Sequence, residues 1–221
     1  MKITKFAQSC LLIETAGKKI LIDPGNIQYQ ETYPNNEWSN VDIILITHKH
    51  SDHCHLDGVK ELLKNPQTKL YTSNEVANAY PELTINIVKE GDILTFDDLK
   101  IEVTKAVHGW VPAMKGTDFA VKENIGFIID DGKTRAYQTS DTLCFDNDYK
   151  CDVICLPFVN HGVVMGPTEA AKFAEMIGVK LVIPIHYDNP KYPGDFEWLK
   201  KEFAERNLNY KFLEIGENIE I

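Results

Sequence analysis

The chain has 221 residues, is 43% hydrophobic and 25% charged, and carries a formal net charge of −10. That length is enough to bury one full core, so one domain over 1–221 is expected. No apolar run reaches the roughly 18 residues that a membrane helix needs, and the negative charge disfavours a nucleic-acid partner.

In chain order, the first residues alternate as a strand and lack the apolar stretch and cleavage site of a signal peptide. Five irregularly spaced cysteines without a CxxC pair point to reduced thiols. Together these predict a cytoplasmic protein. Residues 10–15 and 19–22 read as strands joined at Ala16-Gly17-Lys18, and Asp23-Pro24-Gly25 stops the second. The polar stretch 26–40 is expected to be a loop that folds over something. It carries Tyr29, Tyr33 and Trp38. Residues 41–47 form a nearly continuous apolar run, as in a strand buried on both faces, and it ends at His48. Leu56, Val59, Leu62 and Leu63 then mark an amphipathic helix that ends near Asn65-Pro66.

A strand at 70–72 and a short helix at 75–80 follow. Further strands are expected at 85–88, 93–96 and 100–107, the last ending at His108. Residues 110–124 read as a loop, in which Trp110, Met114 and Phe119 line a pocket or fill core. Strands 125–129 and 134–138 flank the hairpin signal Asp130-Asp131-Gly132, and the second ends near Asp141. A buried strand at 153–158 ends near His161. Gly166-Pro167 opens a helix with Ala170, Phe173, Ala174 and Ile177 on one face and Gly178 as its stop. A strand at 181–185 ends at His186. A helix at 196–206 and a final strand pair complete the chain. Several strands followed by helices in each half suit an α/β, four-layer αββα sandwich.

The segment with the most chemistry is His48-Lys49-His50-Ser51-Asp52-His53. Imidazole and carboxylate together suit zinc and its first-row neighbours. Residues two apart in extended chain point the same way, so His48 and His50 can address one ion. Asp52 and His53, where the chain turns into the helix, can address a second position beside it. His108, Asp141 and His186 each stand at the expected end of a strand, as His48 does, and such strand ends on one sheet edge are where α/β proteins gather site residues.

This order of residues resembles the metallo-β-lactamase superfamily, from Leu21-Ile22-Asp23-Pro24-Gly25 to Ile183-Pro184-Ile185-His186-Tyr187. Its compact branch of metal-dependent hydrolases, with RomA-like proteins and the ascorbate-phosphate lactonase, is the nearest likeness, through Met165-Gly166-Pro167-Thr168-Glu169-Ala170-Ala171 and the Pro-Ile-His-Tyr stretch. The resemblance implies a metallo-β-lactamase fold with two divalent ions. His48, His50 and His108 would hold the first, Asp52, His53 and His186 the second, and Asp141 would bridge them. Zinc is favoured; manganese, iron, nickel or cobalt can occupy such a site. Two dications would bring the net charge to about −6 (−10 + 4).

Departures from the family pattern narrow the reading. No cysteine stands where the antibiotic-hydrolysing members carry one at the second metal, and His50 stands where flavodiiron relatives carry Glu. His161-Gly162 replaces an expected Gly-rich turn. The expected activity is hydrolysis of a small ester, lactone or phosphoester by a metal-bound hydroxide. Asp52 would orient that hydroxide and take its proton, and His161 would donate a proton to the leaving group or bind an oxyanion. A nuclease of the same fold and a non-catalytic metal-binding module are the rivals. The nuclease is disfavoured by the net charge and the lack of a basic arm. Asn160 is a weaker candidate, His55 reads as a surface residue and Cys54 as packing. The helix start at Gly166 reads as a plain cap or an anion site. The loop 110–124 can serve a pocket, a lid or a subunit contact, so a homo-oligomer stays open.

Overall fold

A computed structural model describes residues 1–27 and 38–221. The expectations for Tyr29 and Tyr33 lie outside the described residues. The N-terminal alternation becomes three antiparallel strands, β1 (Lys2–Lys5), β2 (Leu11–Thr15) and β3 (Lys18–Ile22). Ile3 lies opposite Ile13, and Ile13 opposite Ile20. Successive strand residues point to opposite faces, and both faces are apolar here. Leu11, Ile13, Ile20 and Ile22 enter one core, while Leu12 and Leu21 enter another. Strand β4 (Ile43–Ile46) does the same: Ile43 and Leu45 face the first core, Ile44 and Ile46 the second. A continuous apolar run is therefore the right composition for this strand, which no water touches on either side.

Helix α1 (Leu56–Leu62) returns the chain to β5 (Lys69–Thr72), and α2 (Asn74–Ala79) leads to β6 (Ile85–Ile87). These crossovers allow β4, β5 and β6 to run parallel, and β3 pairs parallel to β4 across the connection 23–42. The second sheet begins with β7 (Ile93–Phe96), β8 (Leu99–Lys105), β9 (Ile125–Asp130) and β10 (Arg135–Gln138), all antiparallel. Strands β11 (Val153–Pro157) and β12 (Leu181–Ile185) then add parallel to β10, with helix α3 (Pro167–Ile177) between them. Helix α4 (Phe196–Glu205) packs beside α3. Finally β13 (Asn218–Glu220) closes on β1. The strand orders are β13-β1-β2-β3-β4-β5-β6 and β12-β11-β10-β9-β8-β7.

Three apolar layers result. One lies between the sheets, where Ile13 and Leu45 of the first share a cluster with Phe127 and Ile183 of the second. One joins the first sheet to Val59 of α1 and Val76 of α2. The third joins Ile128, Ile154 and Val182 of the second sheet to Phe173 of α3 and Phe203 of α4. Sheet against sheet, with helices outside both, is the αββα sandwich. Each large side chain in these layers contributes about 1.5–3 kcal/mol by leaving water.

Local signals place α3 well. Pro167 opens it, Ala170, Phe173, Ala174 and Ile177 are all buried, and Gly178 ends it at φ 76°, a left-handed conformation that glycine adopts freely. The expected final strand pair is a correction. Among the described residues only β13 is a full strand there, and Tyr210 makes a single parallel bridge to Val182. All five cysteines are free thiols. Among the described residues no helix is long and apolar enough to cross a membrane.

The directions of the strands position the site. The first sheet's β4 ends just before His48. In the second sheet β8, β10, β11 and β12 all run one way, because two antiparallel steps through β9 restore the direction of β8 in β10. Their C-terminal ends therefore deliver His108, Asp141, His161 and His186 to one edge.

Candidate metal centre

The segment 48–55 leaves β4 and is clamped onto the turn after β3. His55 N–H donates to Pro24 O (2.9 Å) and Asn26 N–H to Ser51 O (2.8 Å). Gly25 lies so close that a Cβ there would stand 1.7 Å from the Asp52 carbonyl oxygen. Only glycine permits that approach. Tyr80 of the α2 cap adds a hydrogen bond from its hydroxyl to Lys49 O (2.9 Å). His55 caps α1 by accepting from Gly58 N–H, a role its sequence position did not suggest. Cys54 packs in the helix-side core, as expected.

Four imidazoles have one nitrogen each committed away from the centre. His53 Nδ1 donates to the buried Asp23 carboxylate (2.8 Å). His108 Nδ1 donates to Gly109 O (2.8 Å) and His50 Nε2 to Phe119 O (2.8 Å), since a carbonyl only accepts. Thr47 Oγ1 donates to Asp23 Oδ2 (2.8 Å), which leaves it to accept from His48 Nδ1 at 3.1 Å. Each ring then turns its second nitrogen inward. His48 Nε2 and His50 Nδ1 stand 3.1 Å apart.

Asp141 joins the two ends of the cluster. One oxygen is 3.4 Å from His53 Nε2 and the other 3.0 Å from His186 Nε2. Asp52 Oδ2 is 3.5 Å from His186 Nε2 and 3.9 Å from His53 Nε2. Three sets of donor atoms lie close enough to share an ion: His48, His50 and His108; His48, His53 and Asp141; and Asp52, His53 and His186. All seven residues singled out as ligands thus come together.

A metal fits this set. His53 Nε2, His108 Nε2 and Asp141 Oδ1 are buried without a hydrogen-bond partner. Each orphaned buried polar atom costs about 1–3 kcal/mol. A cation in the His48, His50 and His108 set satisfies His108 Nε2, and a cation beside His53 and Asp141 satisfies the other two atoms. Burial pushes His48 well down and His108 down, so both stay neutral with a lone pair free. Burial also opposes charge on His186, but Asp141 and Asp52 outweigh it and raise its pKa to about 9. Burial works against ionised Asp52, yet the His53 and His186 rings hold its carboxyl well below the usual range. A mixed imidazole and carboxylate set of this kind suits zinc and its neighbours.

A cleft of about 400 Å³ opens onto the centre and is lined by Asp52, Asp141, His161 and His186, with Met114, Phe119 and Tyr192 on its walls. A larger hollow, about 640 Å³, adjoins it through His50, Asp52 and Phe119 but touches only His50 and Asp52 of the centre. The smaller cleft is the one that meets both carboxylates. His161 faces it, with its ring 5.8 Å from His186 and 4.9 Å from Tyr192. The loop carrying His108 is fastened to the one carrying His161 by Gly109 N–H to Val163 O (2.8 Å). Asn160, at φ 57°, is not on the cleft lining. Trp38 is core, Trp110 is exposed, and Tyr187 packs against Phe158 with its hydroxyl on Leu213 O. Gly166 N–H is taken by Glu169 of its own helix (2.9 Å), the plain cap among the two expectations. Sequence reasoning missed Asp23, whose only visible signal was a turn, as well as Gln8 and Tyr192.

Comparison with known proteins agrees with this geometry. A beta-lactamase superfamily domain matches residues 2–186. A UPF0173 metal-dependent hydrolase from Aeropyrum pernix is 31% identical, over 99% of this chain and 97% of its own. One from Korarchaeum cryptofilum is 30% identical over the whole of both. Among solved structures, a metallo hydrolase from Ignicoccus hospitalis superposes with a TM-score of 0.80 at 24% identity, covering 100% of this chain and 98% of the other. An isothiocyanate hydrolase from Delia radicum gut bacteria has a TM-score of 0.78 at 19% identity, covering 100% and 99%.

Proposed function

The chain belongs to the beta-lactamase superfamily and is a metal-dependent hydrolase, and from that premise we propose that it holds two divalent ions and hydrolyses a small ester, lactone or phosphoester. His48, His50 and His108 would hold the first ion. Asp52, His53 and His186 would hold the second, with Asp141 between them. The observation that carries this reading is the set of inward-turned donors around three orphaned buried atoms. The donors favour zinc. We read residues 1–221 as a single catalytic domain working in the cytoplasm on a small molecule.

Bound there, the ions would supply water acidified to a pKa near ~7 and a Lewis acid for the substrate's oxygen. The chain's own residues do the rest. Asp52 reaches the cleft with 27% of its side chain exposed. Kept ionised by its histidine neighbours, it accepts hydrogen bonds from the attacking water, orients it and takes its proton. His161 lines the same cleft and offers a ring N–H to the oxyanion or leaving oxygen, its burial and His186 favouring the neutral ring. Asp23 and Thr47 hold His53 and His48 in the tautomers that present a lone pair. The balance is one water added across the bond between the acyl or phosphoryl centre and the leaving oxygen.

Elemental analysis of the purified protein beside its His48→Ala/His50→Ala variant tests this. The expected result is about two equivalents of metal, falling in the variant, with hydrolysis of members of an ester, lactone and phosphoester panel lost in step. A well-folded protein with no metal, not restored by added zinc or manganese, would overturn it. Stoichiometric metal without turnover of any panel member would favour a metal-binding module instead.

A further inference from the structure

Gln8 sits between β1 and β2, nearly fully buried, with its backbone at φ 58°, a conformation that residues other than glycine rarely adopt. Every group it owns but one is committed. Its N–H donates to Asp188 Oδ2 (2.7 Å), and its C=O accepts from His186 N–H (3.0 Å). Its side-chain Oε1 accepts from both Asp188 N–H and Asn189 N–H (3.0 Å each). Asp188 is held in turn by the buried Lys5 ammonium (2.8 Å). Two backbone donors meeting one amide atom require that atom to be oxygen. The orientation of the carboxamide is therefore fixed, and its NH2 is the end that faces the cleft, which Gln8 lines.

That NH2 lies 3.3 Å from His186 Nε2 and 3.5 Å from His186 Nδ1. Near-equal distances to both nitrogens place it over the ring face, because in the ring plane it would collide with the carbon between them. A donor over the face does not meet a nitrogen lone pair. Among the described residues no carboxylate, carbonyl or hydroxyl takes its hydrogens. A nearly fully buried, pre-oriented donor thus points into the cleft beside the centre with, among the described residues, only the face of the His186 ring against it.

We propose that the Gln8 carboxamide is the fixed hydrogen-bond donor to the substrate's oxygen, and that the substrate is an uncharged carboxylic ester or lactone. This rests on the hydrolase reading above. Neither Lys nor Arg is among the described residues lining the cleft, and residues 28–37 contain neither in their sequence. Beside the centre a phosphate would find Asp52 and Asp141 but no Lys or Arg to hold its remaining oxygens. A neutral carbonyl needs none, and a neutral amide suits it. Val111, Met114, Phe119 and Val163 offer its body an apolar wall.

The test uses zinc-loaded full-length protein and Gln8→Glu, which keeps one oxygen for the two backbone donors and puts an acceptor where the NH2 was. Zinc content, kcat/KM for phenyl acetate, γ-butyrolactone and p-nitrophenyl phosphate, and the wild-type Gln8 side-chain amide NMR signal during titration with acetohydroxamate are measured. The expected result is unchanged zinc, kcat/KM for the acyl substrates lower by about 100-fold, and a Gln8 amide signal that moves on titration. Acyl activity within twofold of wild type, or zinc lost together with activity while the signal stays still, would overturn the donor role. The second outcome would leave Gln8 as a support for His186. Faster turnover of the phosphate than of either acyl substrate would overturn the substrate class. If the wild type binds zinc and hydrolyses nothing, the hydrolase reading fails and the NMR signal alone decides the donor. If Gln8→Glu does not fold, the same signal still decides, since it needs no variant.

Discussion

Asp23→Asn probes how far the centre depends on a residue that touches no substrate. The Asp23 carboxylate is fully buried. Its Oδ1 accepts from Thr47 N–H (2.8 Å). Its Oδ2 accepts from Thr47 Oγ1 (2.8 Å), His53 Nδ1 (2.8 Å) and Gln138 Nε2 (3.3 Å). Asparagine has the same shape but offers one acceptor atom instead of two. With its oxygen toward Thr47 N–H, its NH2 faces His53. The Thr47 hydroxyl can rotate and accept, but His53 must then lose its Nδ1 proton and carry it on Nε2. That nitrogen is the one turned inward, so its lone pair is lost to a metal. With the amide flipped, its NH2 faces the Thr47 N–H, which cannot accept. Either way one buried donor goes unmatched, at about 1–3 kcal/mol, and a charge-assisted bond is lost. The expected outcome is zinc affinity lower by about 10–100-fold, the usual range for such supporting groups. It is measured by competition with a chromophoric chelator, together with the stability loss in urea on metal-stripped protein. Wild-type zinc affinity in the asparagine variant would refute the argument, because His53 would then need neither the Asp23 charge nor its tautomer.

Two further substitutions separate architecture from chemistry. Gly25→Ala puts a methyl group 1.7 Å from the Asp52 carbonyl oxygen, so the segment 48–55 must move. Stability should fall by at least about 1–3 kcal/mol and metal content with it, and an unshifted denaturation midpoint would show that the turn yields without cost. His161→Ala removes a cleft side chain that belongs to none of the donor sets. Zinc content and unfolding midpoint should hold while kcat falls by about 100-fold, whereas loss of zinc would make His161 part of the metal support.

Much of the fold is legible locally because the two core-facing periodicities are strong. The run ending at His48 reads as a doubly buried strand, and it is one because Ile43 and Leu45 face the other sheet while Ile44 and Ile46 face the helices. Helix α3 is legible from its Pro, its Gly and its apolar stripe. Partner choice is not legible. That β13 pairs with β1, at the opposite end of the chain, depends on where the sheet has a free edge, which no local window contains. The expected final strand pair failed for this reason: residues 210–214 pair their backbone with β12 at the single Val182–Tyr210 bridge, while Leu213 packs into the core that Ile183 and Ile185 share.

The candidate ligands were legible because histidine is scarce and four of the seven, His48, His108, Asp141 and His186, stand just past strand ends. What supports them was not. Asp23, Gln8 and Lys5 are ordinary polar residues in the sequence, and their partners come from distant segments. A second feature was hidden as well. Asp23, Ser140 and His186 have φ of 50°, 65° and 65°, and Gln8 has 58°. Each is a non-glycine residue in the left-handed region in or beside the donor cluster, and such a conformation costs about 1–3 kcal/mol unless its surroundings impose it. The surroundings are visible. Asp23 is held by Thr47 and His53, Gln8 by Asp188, Asn189 and His186, and Ser140 by Gln138 and Asn124. A strand that ran on past these points would carry its side chains away along the sheet edge. An abrupt left-handed turn at the strand end folds them back over the edge, so that donors from both sheets can meet. At these four positions strain and convergence go together: Asp23, Gln8, Ser140 and His186 bend against their preference and are donors, or neighbours or partners of donors, while Ala16, Asn40, Asp97 and Asn207 do the same in turns away from the site.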